Sequence, residues 1–213
     1  MSQSFDTTKR IIDVLVGSLG LMVGAPIIML AALSVKIDSK GPVFYRSRRV
    51  GRHGREFDLF KLRTMQTKQE NGFLYVTSAK DDRITRVGRF LRNLKIDELP
   101  QLLNVIRGDI SLVGPRPEAP RYVAAFPEMF EKILIIRPGL SDRGTLAYMD
   151  EEFLLSTEED PEAHYMEVIL PAKIALNLKY IENRGPIEDS KMFVRTCIGI
   201  VRRVVIHLRR AIQ

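Results

Sequence analysis

Two adjacent acidic residues, Asp97 and Glu98, lie within the segment KIDELPQLLNV at residues 95–105. An ionised carboxylate can attack a phosphorus atom and form an acyl phosphate. A second carboxylate beside it can bind Mg²⁺ or move a proton. The arginines and lysines that surround the pair in the sequence are suited to binding phosphate oxygens. The pair therefore has the composition of a phosphoryl-transfer site.

The same pair also suits a purely structural role. Leucines recur with helical spacing after it, so a helix is predicted over residues 99–106, with Asp97 as its N-cap and Pro100 in its first turn. Such a helix start would keep the Asp97 carboxylate ionised, and its N–H groups could hold phosphate oxygens. The local pattern is compatible with both a helix cap and a nucleophile.

Several other kinds of site have no signature in this sequence. There is no Gly-x-Gly-x-x-Gly, no Walker loop and no Gly-x-Ser-x-Gly elbow. The histidines, His53, His164 and His207, are far apart and no cysteine or histidine has metal-ligand spacing. The single cysteine, Cys197, excludes an internal disulfide. Because Cys197 lies in an apolar run, we expect it to be a small core residue.

The overall charge points to an anionic partner. The 213 residues include 33 Lys and Arg against 26 Asp and Glu, a formal charge of +7. This excess suits a nucleic acid, a phosphorylated small molecule or a membrane surface. The length is that of one domain with a sizeable core.

The segment that must place the pair relative to a membrane is residues 14–35, which carry no charge. At about 1.5 Å per residue, a helix over this segment is about 33 Å long, enough to cross a bilayer core. A signal peptide, a straight transmembrane anchor and a re-entrant helix that leaves on the side it entered all remain open. Pro26 predicts a bend, and basic residues flank both ends of the segment, which favours the re-entrant form. The same long apolar segment argues against a nucleic-acid-binding protein.

Three further elements carry basic or rigid residues. Residues 42–65 predict a β-hairpin with its turn at GRHGR, and Lys61 shares a face of the second arm with Phe57 and Leu59. Residues 84–95 and 192–213 predict basic amphipathic helices, suited to an anionic lipid interface or a phosphorylated ligand. The irregular loop GDISLVGPRPEAP holds Arg116 between two prolines, a stiff mount for binding an oxyanion.

Taken together, these motifs resemble the bacterial sugar transferase family, small monotopic phosphoglycosyl transferases that act on polyprenyl phosphate. The resemblance rests on KRIIDVLVG with its mid-segment proline, GPVFYRSRRVGRHGREFDLFKLRTM, DDRITRVGRFLRNLKIDELPQLLNVIRGDISLVGPRPE and RPGL. It implies a mostly helical, compact α/β membrane domain with a small β-hairpin. Residues 1–40 would form a re-entrant helix broken at Pro26, and residues 41–213 a catalytic unit with interfacial helices.

The resemblance also implies an activity. A UDP-sugar would donate its phosphosugar to undecaprenyl phosphate through a covalent intermediate on an aspartate, releasing UMP, as the first membrane step of surface glycan or glycoconjugate assembly. The motif match makes Asp97 the nucleophile and Glu98 its partner. It implies Mg²⁺ as cofactor, with Asp97, Glu98 and Asp109 as ligands. The residues that it places at the phosphates are Lys61, Arg92, Arg116 and Arg137.

The resemblance further implies a bacterial inner-membrane enzyme with its catalytic domain on the cytoplasmic face, in contact with anionic phospholipid. A homodimer is one possible assembly, and the sequence leaves the oligomeric state open. The sequence departs from many members at Ala25, at Ser47 and in GLSDRGTLAY, and it has no tryptophan. The last region is a plausible contributor to donor recognition, so the sugar is left open. The alternative is a membrane scaffold without activity, which would hold lipids or partner proteins through its basic helices.

Overall fold

The computed structural model describes residues 3–66, 77 and 81–212, and side chains within 5–66, 77 and 81–206. This part of the chain is mostly helical with small sheets. The α-helices are α1 (Gln3–Asp38), α2 (Arg86–Asn93), α3 (Gln101–Arg107), α4 (Pro120–Ala125), α5 (Pro127–Ile133), α6 (Arg143–Ala147), α7 (Glu151–Leu155), α8 (Pro161–His164), α9 (Leu170–Asn183) and α10 (Pro186–Ile212). The strands are β1 (Phe44–Val50), β2 (Glu56–Leu62), β3 (Ser111–Val113) and β4 (Gly139–Ser141).

Helix α1 presents small residues to the rest of the protein and large apolar residues to the outside. A Cβ atom added at Gly17 would lie 3.2 Å from Val105, and one at Gly20 would lie 3.3 Å from Leu102. The glycines therefore allow α1 to approach α3 closely. The large apolar residues on the opposite face are exposed: Ile11, Ile12, Leu15, Leu19, Met22, Val23, Ile27, Met29, Leu30, Leu33 and Ile37.

Pro26 does not interrupt α1. The helix continues from Gln3 to Asp38 with Pro26 inside it and on its exposed side. The predicted break is therefore not an end of the helix, and the re-entrant path stays a prediction. Among the described helices, α1 is the one that is long and apolar enough to cross a membrane, by length and composition.

Both ends of α1 are attached to the same folded unit. Near its start, the Arg10 guanidinium donates hydrogen bonds of 2.6 Å to the carbonyls of Val105 and Ile106, at the end of α3. Near its end, Val35 packs with Leu62 and Leu91 in an apolar cluster. Arg10, expected to be a positive flank of the apolar segment, thus caps α3, where the helix dipole favours a cation.

The predicted β-hairpin is confirmed. Strands β1 and β2 are antiparallel, with Ser47 opposite Leu59 and Tyr45 opposite Lys61. A 3₁₀ turn at Arg52–Gly54 joins them, in which His53 and Gly54 adopt positive φ angles of 58° and 76°. Leu59 is buried on the face that carries Lys61, so the strand period brings Lys61 to the protein side of the hairpin.

The segment GDISLVGPRPEAP is not wholly irregular, as the sequence had led us to expect. It contains β3, which pairs in parallel with β4 through Ser111 opposite Gly139 and Val113 opposite Ser141. The glycines make this packing possible, since a Cβ atom at Gly139 would lie 2.1 Å from the Gly114 nitrogen. The pairing fixes the loop that follows, which carries Arg116.

The predicted helix over residues 84–95 is shorter in the structure. Ile84 lies in an isolated antiparallel bridge with Met65, and α2 begins at Arg86 after the Thr85 side chain caps Gly88 N–H at 2.9 Å. Gly88 rests on the chain beside β2, where an added Cβ atom would lie 2.0 Å from the Thr64 carbonyl oxygen. The sequence also predicts a polar loop over residues 66–82, and this stretch lies mostly outside the described residues.

Helix α10 is longer than predicted and begins at Pro186. Ile198, Val201 and Val205 share an exposed face, as their spacing predicts, and Leu208 and Ile212 lie beyond the described side chains. Cys197 is exposed, so its prediction as a core residue is wrong. The apolar run that contains Cys197 lies on an outward face of α10 rather than in a core.

Candidate functional site

The acidic pair lies in a single 3₁₀ turn, Ile96–Glu98, between α2 and α3. Lys95 precedes it with φ 58° and ψ 20°, a left-handed conformation uncommon for a residue other than glycine. Helix α3 begins only at Gln101, with Pro100 at its N-cap position. The prediction that Asp97 caps this helix is therefore wrong, because a separate turn lies between them.

Asp97 is almost fully buried, with 5% of its surface exposed. Its Oδ1 atom has no hydrogen-bond partner within the described part of the protein. Burial, together with the nearby charge of Glu98, raises the pKa of Asp97, and Lys61, Lys95 and Arg92 oppose this shift. The environment is thus the reverse of the ionising helix start that the sequence suggested.

Glu98 is surrounded by three cations. Its Oε1 atom accepts a 2.6 Å hydrogen bond from Arg116, lies 3.3 Å from the Lys61 ammonium and lies 3.9 Å from that of Lys95. Burial alone would raise the pKa of Glu98, but Arg116, Lys61 and Lys95 together lower it well below its ordinary value. The three cations therefore hold Glu98 in its ionised form.

The cations beside Glu98 come from separate elements. Burial lowers the pKa of Lys61 at the end of β2, and Glu98 opposes that shift. The charge of Glu98 raises the pKa of Arg116. Arg116 is mounted on a loop held to β4 by a 2.8 Å hydrogen bond from Gly139 N–H to the Pro115 carbonyl. The structure thus brings together Asp97, Glu98, Lys61 and Arg116, as predicted from motifs spread over more than fifty positions.

Arg92 is held near the pair by a residue that sequence reasoning missed. Its guanidinium donates a 2.7 Å hydrogen bond to Glu152 on α7 and a 3.3 Å hydrogen bond to the Thr64 hydroxyl. The charge of Arg92 still contributes to the pKa of Asp97. Glu152 lies sixty positions away in an acidic stretch of ordinary appearance, so no local signal could have identified it.

Asp109 belongs to a hydrogen-bond network centred on Asn104. It accepts a 2.9 Å hydrogen bond from the Asn104 amide, which also donates to the Asp58 carbonyl at 2.8 Å. No group of three or more His, Cys, Asp or Glu side chains gathers as a metal site among the described residues. Asp97, Glu98 and Asp109 therefore do not form a preassembled set of three carboxylates.

The acidic pair nevertheless suits a Mg²⁺ site that would be completed only when substrate binds. Mg²⁺ usually uses one or two protein carboxylates and completes its shell with water and substrate phosphates. The Oδ1 atom of Asp97 has no hydrogen-bond partner in the described structure and is hard and anionic when ionised. The oxygens of Asp97 and Glu98 would provide the two carboxylates.

Arg137, predicted at the phosphates, lies elsewhere. It lines a cavity with Asp6 and Asp13 of α1, Arg52 and Ser111, and this cavity includes none of the residues around Glu98. Burial, Arg10 and Arg52 lower the pKa of Arg137. The structure therefore does not bring Arg137 together with the predicted site.

Comparison with known proteins places this geometry in a family. The family model described as "Bacterial sugar transferase" matches residues 4–203. The UDP-glucose:undecaprenyl-phosphate glucose-1-phosphate transferase of Caulobacter vibrioides is 39% identical over 195 residues, covering 90% of this chain and 68% of that protein. The protein of the same name from Xanthomonas campestris pv. campestris is 38% identical over 92% of this chain and 39% of its own length.

A third relative acts on a different sugar. The UDP-N-acetylgalactosamine-undecaprenyl-phosphate N-acetylgalactosaminephosphotransferase of Aeromonas hydrophila is 39% identical over 62% of this chain and 32% of its own length. The residues that the family model matches include nearly all the elements described above, from α1 to most of α10. The chain belongs to the bacterial sugar transferase family.

Proposed function

We propose that this protein transfers a phosphosugar from a UDP-sugar to undecaprenyl phosphate and releases UMP. The observation that carries the proposal is the buried Asp97 carboxylate, whose Oδ1 atom has no hydrogen-bond partner in the described structure. It lies beside Glu98, which Arg116 and Lys61 hold in place. A diphosphate brings negative charge to these cations, and their contacts hold it beside a nucleophile.

The proposed reaction has two steps on one phosphorus atom. A carboxylate oxygen of Asp97 attacks the phosphorus that carries the sugar, a P–O bond forms, and the bond to the bridging diphosphate oxygen breaks with its electron pair leaving on UMP. A phosphate oxygen of undecaprenyl phosphate then attacks the same phosphorus. The bond to Asp97 breaks, which regenerates the carboxylate and leaves a sugar diphospho-lipid.

The surrounding side chains have distinct proposed roles in these steps. Arg116 and Lys61 bind phosphate oxygens and stabilise the charge that develops on them. Glu98, ionised throughout, positions both cations and does not serve as the proton donor. Asp97 and Glu98 would hold Mg²⁺, which when bound neutralises charge on the phosphates.

The donor sugar is proposed only at the level of its class. The relatives are named for transfer from UDP-glucose and UDP-N-acetylgalactosamine, and both are 39% identical to this chain over the matched residues. A screen of UDP-sugars, read out as UMP release with undecaprenyl phosphate as acceptor, would identify the donor. We expect release from at least one of these two donors.

The nucleophile can be tested directly. After incubation with the UDP-sugar alone, intact mass spectrometry should find one phosphosugar per chain, and peptide mapping should place it on Asp97. Asp97→Asn should give no adduct and lose at least about 1,000-fold in UMP release. An adduct on another residue, or turnover that survives Asp97→Asn, would show that the nucleophile lies elsewhere.

We also propose a monotopic placement on the cytoplasmic face of the inner membrane, with α1 re-entrant at Pro26. Support comes from the attachment of both ends of α1 to one folded unit, through Arg10 near its start and Val35 near its end. A straight span would carry one of these ends to the far side of the bilayer. Pro26 lies on the exposed face of α1 and has no backbone N–H to donate to the helix. A bend at this position is least hindered by the rest of the protein.

Cysteine labelling tests this topology. Because Cys197 is exposed, it is first replaced by serine. Single cysteines at Thr8 and Lys40, two exposed positions on either side of the apolar segment, should then react with an impermeant reagent from the same side of membrane vesicles. Reaction from opposite sides would establish a straight span.

A further inference from the structure

A cavity beside the start of α1 contains polar groups whose hydrogen-bonding capacity the described residues do not use in full. It is lined by residues of α1, the hairpin turn, β3, the segment before β4 and the end of α9. The part of α1 that borders it is residues 6–13, whereas Leu99, next to the acidic pair, faces Gly24. At 1.5 Å per residue these levels of α1 are roughly 17–27 Å apart.

Most charges in the cavity wall are already committed. Arg184 forms an ion pair with Asp6, and Lys9 forms one with Asp189. Asp13 accepts a 3.0 Å hydrogen bond from Leu112 N–H. Arg184 neutralises Asp6, whereas Asp13 keeps its charge and, with Asp6, favours the charged form of Arg137. The lining still has four cations against these two carboxylates, so it carries a net positive charge.

Two groups in the wall are not committed in this way. Arg137 forms no hydrogen bond or ion pair with the described residues, although its side chain is partly buried. The hydroxyl of Ser111, a residue with 1% of its surface exposed, is buried without a hydrogen-bond partner in the described structure. Arg52 uses its Nε–H on the Ile135 carbonyl at 3.0 Å, which leaves its terminal nitrogens for a ligand.

This combination selects a ligand. Arginine presents parallel N–H donors that match two oxygens of a phosphate, and a second guanidinium balances a second negative charge. A buried hydroxyl can donate to a third oxygen, which would also relieve the cost of leaving it unpaired. A carboxylate offers only two oxygens and one charge, so it would leave part of the set unused.

We infer that this cavity is a second anion site, separate from the acidic pair, in which Arg137, Arg52 and Ser111 bind a phosphate group. The group can come from a soluble phosphate or from a phospholipid headgroup. The second source fits the position of the cavity, because Ile11 and Ile12, exposed on the other side of α1, begin its apolar face two residues after Lys9, which lines the cavity. The inference does not depend on the proposed activity.

Calorimetric titration of the full chain in neutral detergent with inorganic phosphate tests the site. Wild type should bind one more equivalent of phosphate than Arg137→Gln, because any phosphate that binds near Glu98 is common to both proteins. Ser111→Ala, which removes a single hydroxyl, should keep that equivalent but weaken it about threefold to tenfold. Arg55→Gln is the matched control, since Arg55 is exposed in the same turn but does not line the cavity.

Equal stoichiometry in wild type and Arg137→Gln, or an equal loss in Arg55→Gln, would overturn the inference. Circular dichroism establishes that each variant is folded before it is compared. A parallel titration with short-chain phosphatidylglycerol separates the two sources. Tighter binding of the lipid than of phosphate, lost in Arg137→Gln, assigns the site to a headgroup, whereas binding of phosphate alone assigns it to a soluble ligand.

Discussion

Asp97 and Glu98 are chemically similar neighbours whose surroundings shift their pKa values in opposite directions. Burial raises the pKa of Asp97, while Arg116 and Lys61 overcome burial and lower that of Glu98. Such a split is how protein sites give two carboxylates different roles. In the proposed reaction, the unpaired and costly carboxylate is the one that attacks, because it gains most from bonding to phosphorus.

The first prediction concerns the stability cost of the nucleophile. Since the folded-state pKa of Asp97 lies above its ordinary value of 3.8, the associated stability is complete below that pH and is lost as the pH rises through the raised pKa. Asp97→Asn cannot ionise, so its melting temperature at pH 8 should exceed wild type by roughly 2–4 °C, about 1 kcal/mol. Because the chain has no tryptophan, circular dichroism is the suitable probe. A difference in melting temperature between Asp97→Asn and wild type that does not decrease towards low pH would contradict this account.

The second prediction has the opposite sign. The depressed pKa of Glu98 stabilises the folded protein above its ordinary value of 4.5, and this contribution is lost as the pH falls through the folded-state pKa. Glu98→Gln would leave Arg116 and Lys61 buried without their counter-ion, at a cost of about 3 kcal/mol at neutral pH. Denaturant unfolding measures this difference. Glu56→Gln, which removes an exposed partner of Arg48, serves as control and should cost under about 0.5 kcal/mol.

Sequence reasoning selected residues that the structure brings together, but it did not foresee the environment of Asp97. The motifs identified Glu98, Lys61 and Arg116, which the structure brings into contact. The expected N-cap failed because the left-handed Lys95 starts a separate turn, and that conformation has no sequence signal in a lysine. The split in pKa could not be foreseen either, since it depends on which oxygens the folded protein leaves unpartnered.

At the scale of elements, α2 is positioned by a contact that only glycine allows. Gly88 lies against the backbone at Thr64, and α2 carries Arg92, which also bonds the Thr64 hydroxyl. Gly88→Ala would place a methyl group 2.0 Å from a carbonyl oxygen, so either α2 or the end of the hairpin must move. Both elements carry cations of the site.

We therefore predict that Gly88→Ala destabilises the protein by about 1–3 kcal/mol and lowers UMP release in the fraction that remains folded. Chemical denaturation and the release assay measure the two effects. The control is Gly185→Ala, at which an added Cβ atom meets nothing within 4 Å. It should change the unfolding free energy by less than about 0.5 kcal/mol. Similar losses at both positions would show that helix geometry at Gly88 is not limiting.

Elements with strong local signals were predictable, and those defined by distant partners were not. The hairpin followed from two alternating arms around a glycine-containing turn, and the structure confirms it. Strands β3 and β4 have three residues each, too few to show a period, and they exist because two glycine-containing segments meet. The bridge of Ile84 to Met65 similarly overrides a helical pattern, since pairing across the chain decides where α2 begins.

At the scale of the whole molecule, large apolar surfaces remain uncovered on α1 and α10. On α10, Val194, Ile198 and Val201 are at least half exposed, and Lys191 and Arg202 lie beside them along the helix. An apolar face flanked by basic residues is the pattern of a helix that lies in an anionic lipid interface. We propose that α10 rests on the same membrane surface that receives α1.

The corresponding prediction is that Val201→Asp weakens binding to vesicles containing phosphatidylglycerol. Val201 is 61% exposed, so the change should leave the fold intact while placing a charge in the interface. The protein is diluted out of detergent into these vesicles, and the fraction that co-sediments with them is measured. This fraction should fall about tenfold or more at the same lipid concentration. Met129→Asp on α5, an exposed apolar residue of another helix, should bind as wild type does. Equal losses of vesicle binding in Val201→Asp and Met129→Asp would show that any added negative charge causes the effect, whatever its position.

The glycine-lined face of α1 also has a consequence for biogenesis. This helix leaves the ribosome before Leu102 and Val105, which it covers and which are synthesised about eighty residues later. Until then neither face of α1 has a protein partner, so lipid must shelter it during translation. The catalytic unit then closes onto a helix already in the bilayer. Completion of the core thus follows membrane insertion, and a fragment without α1 would expose its own core.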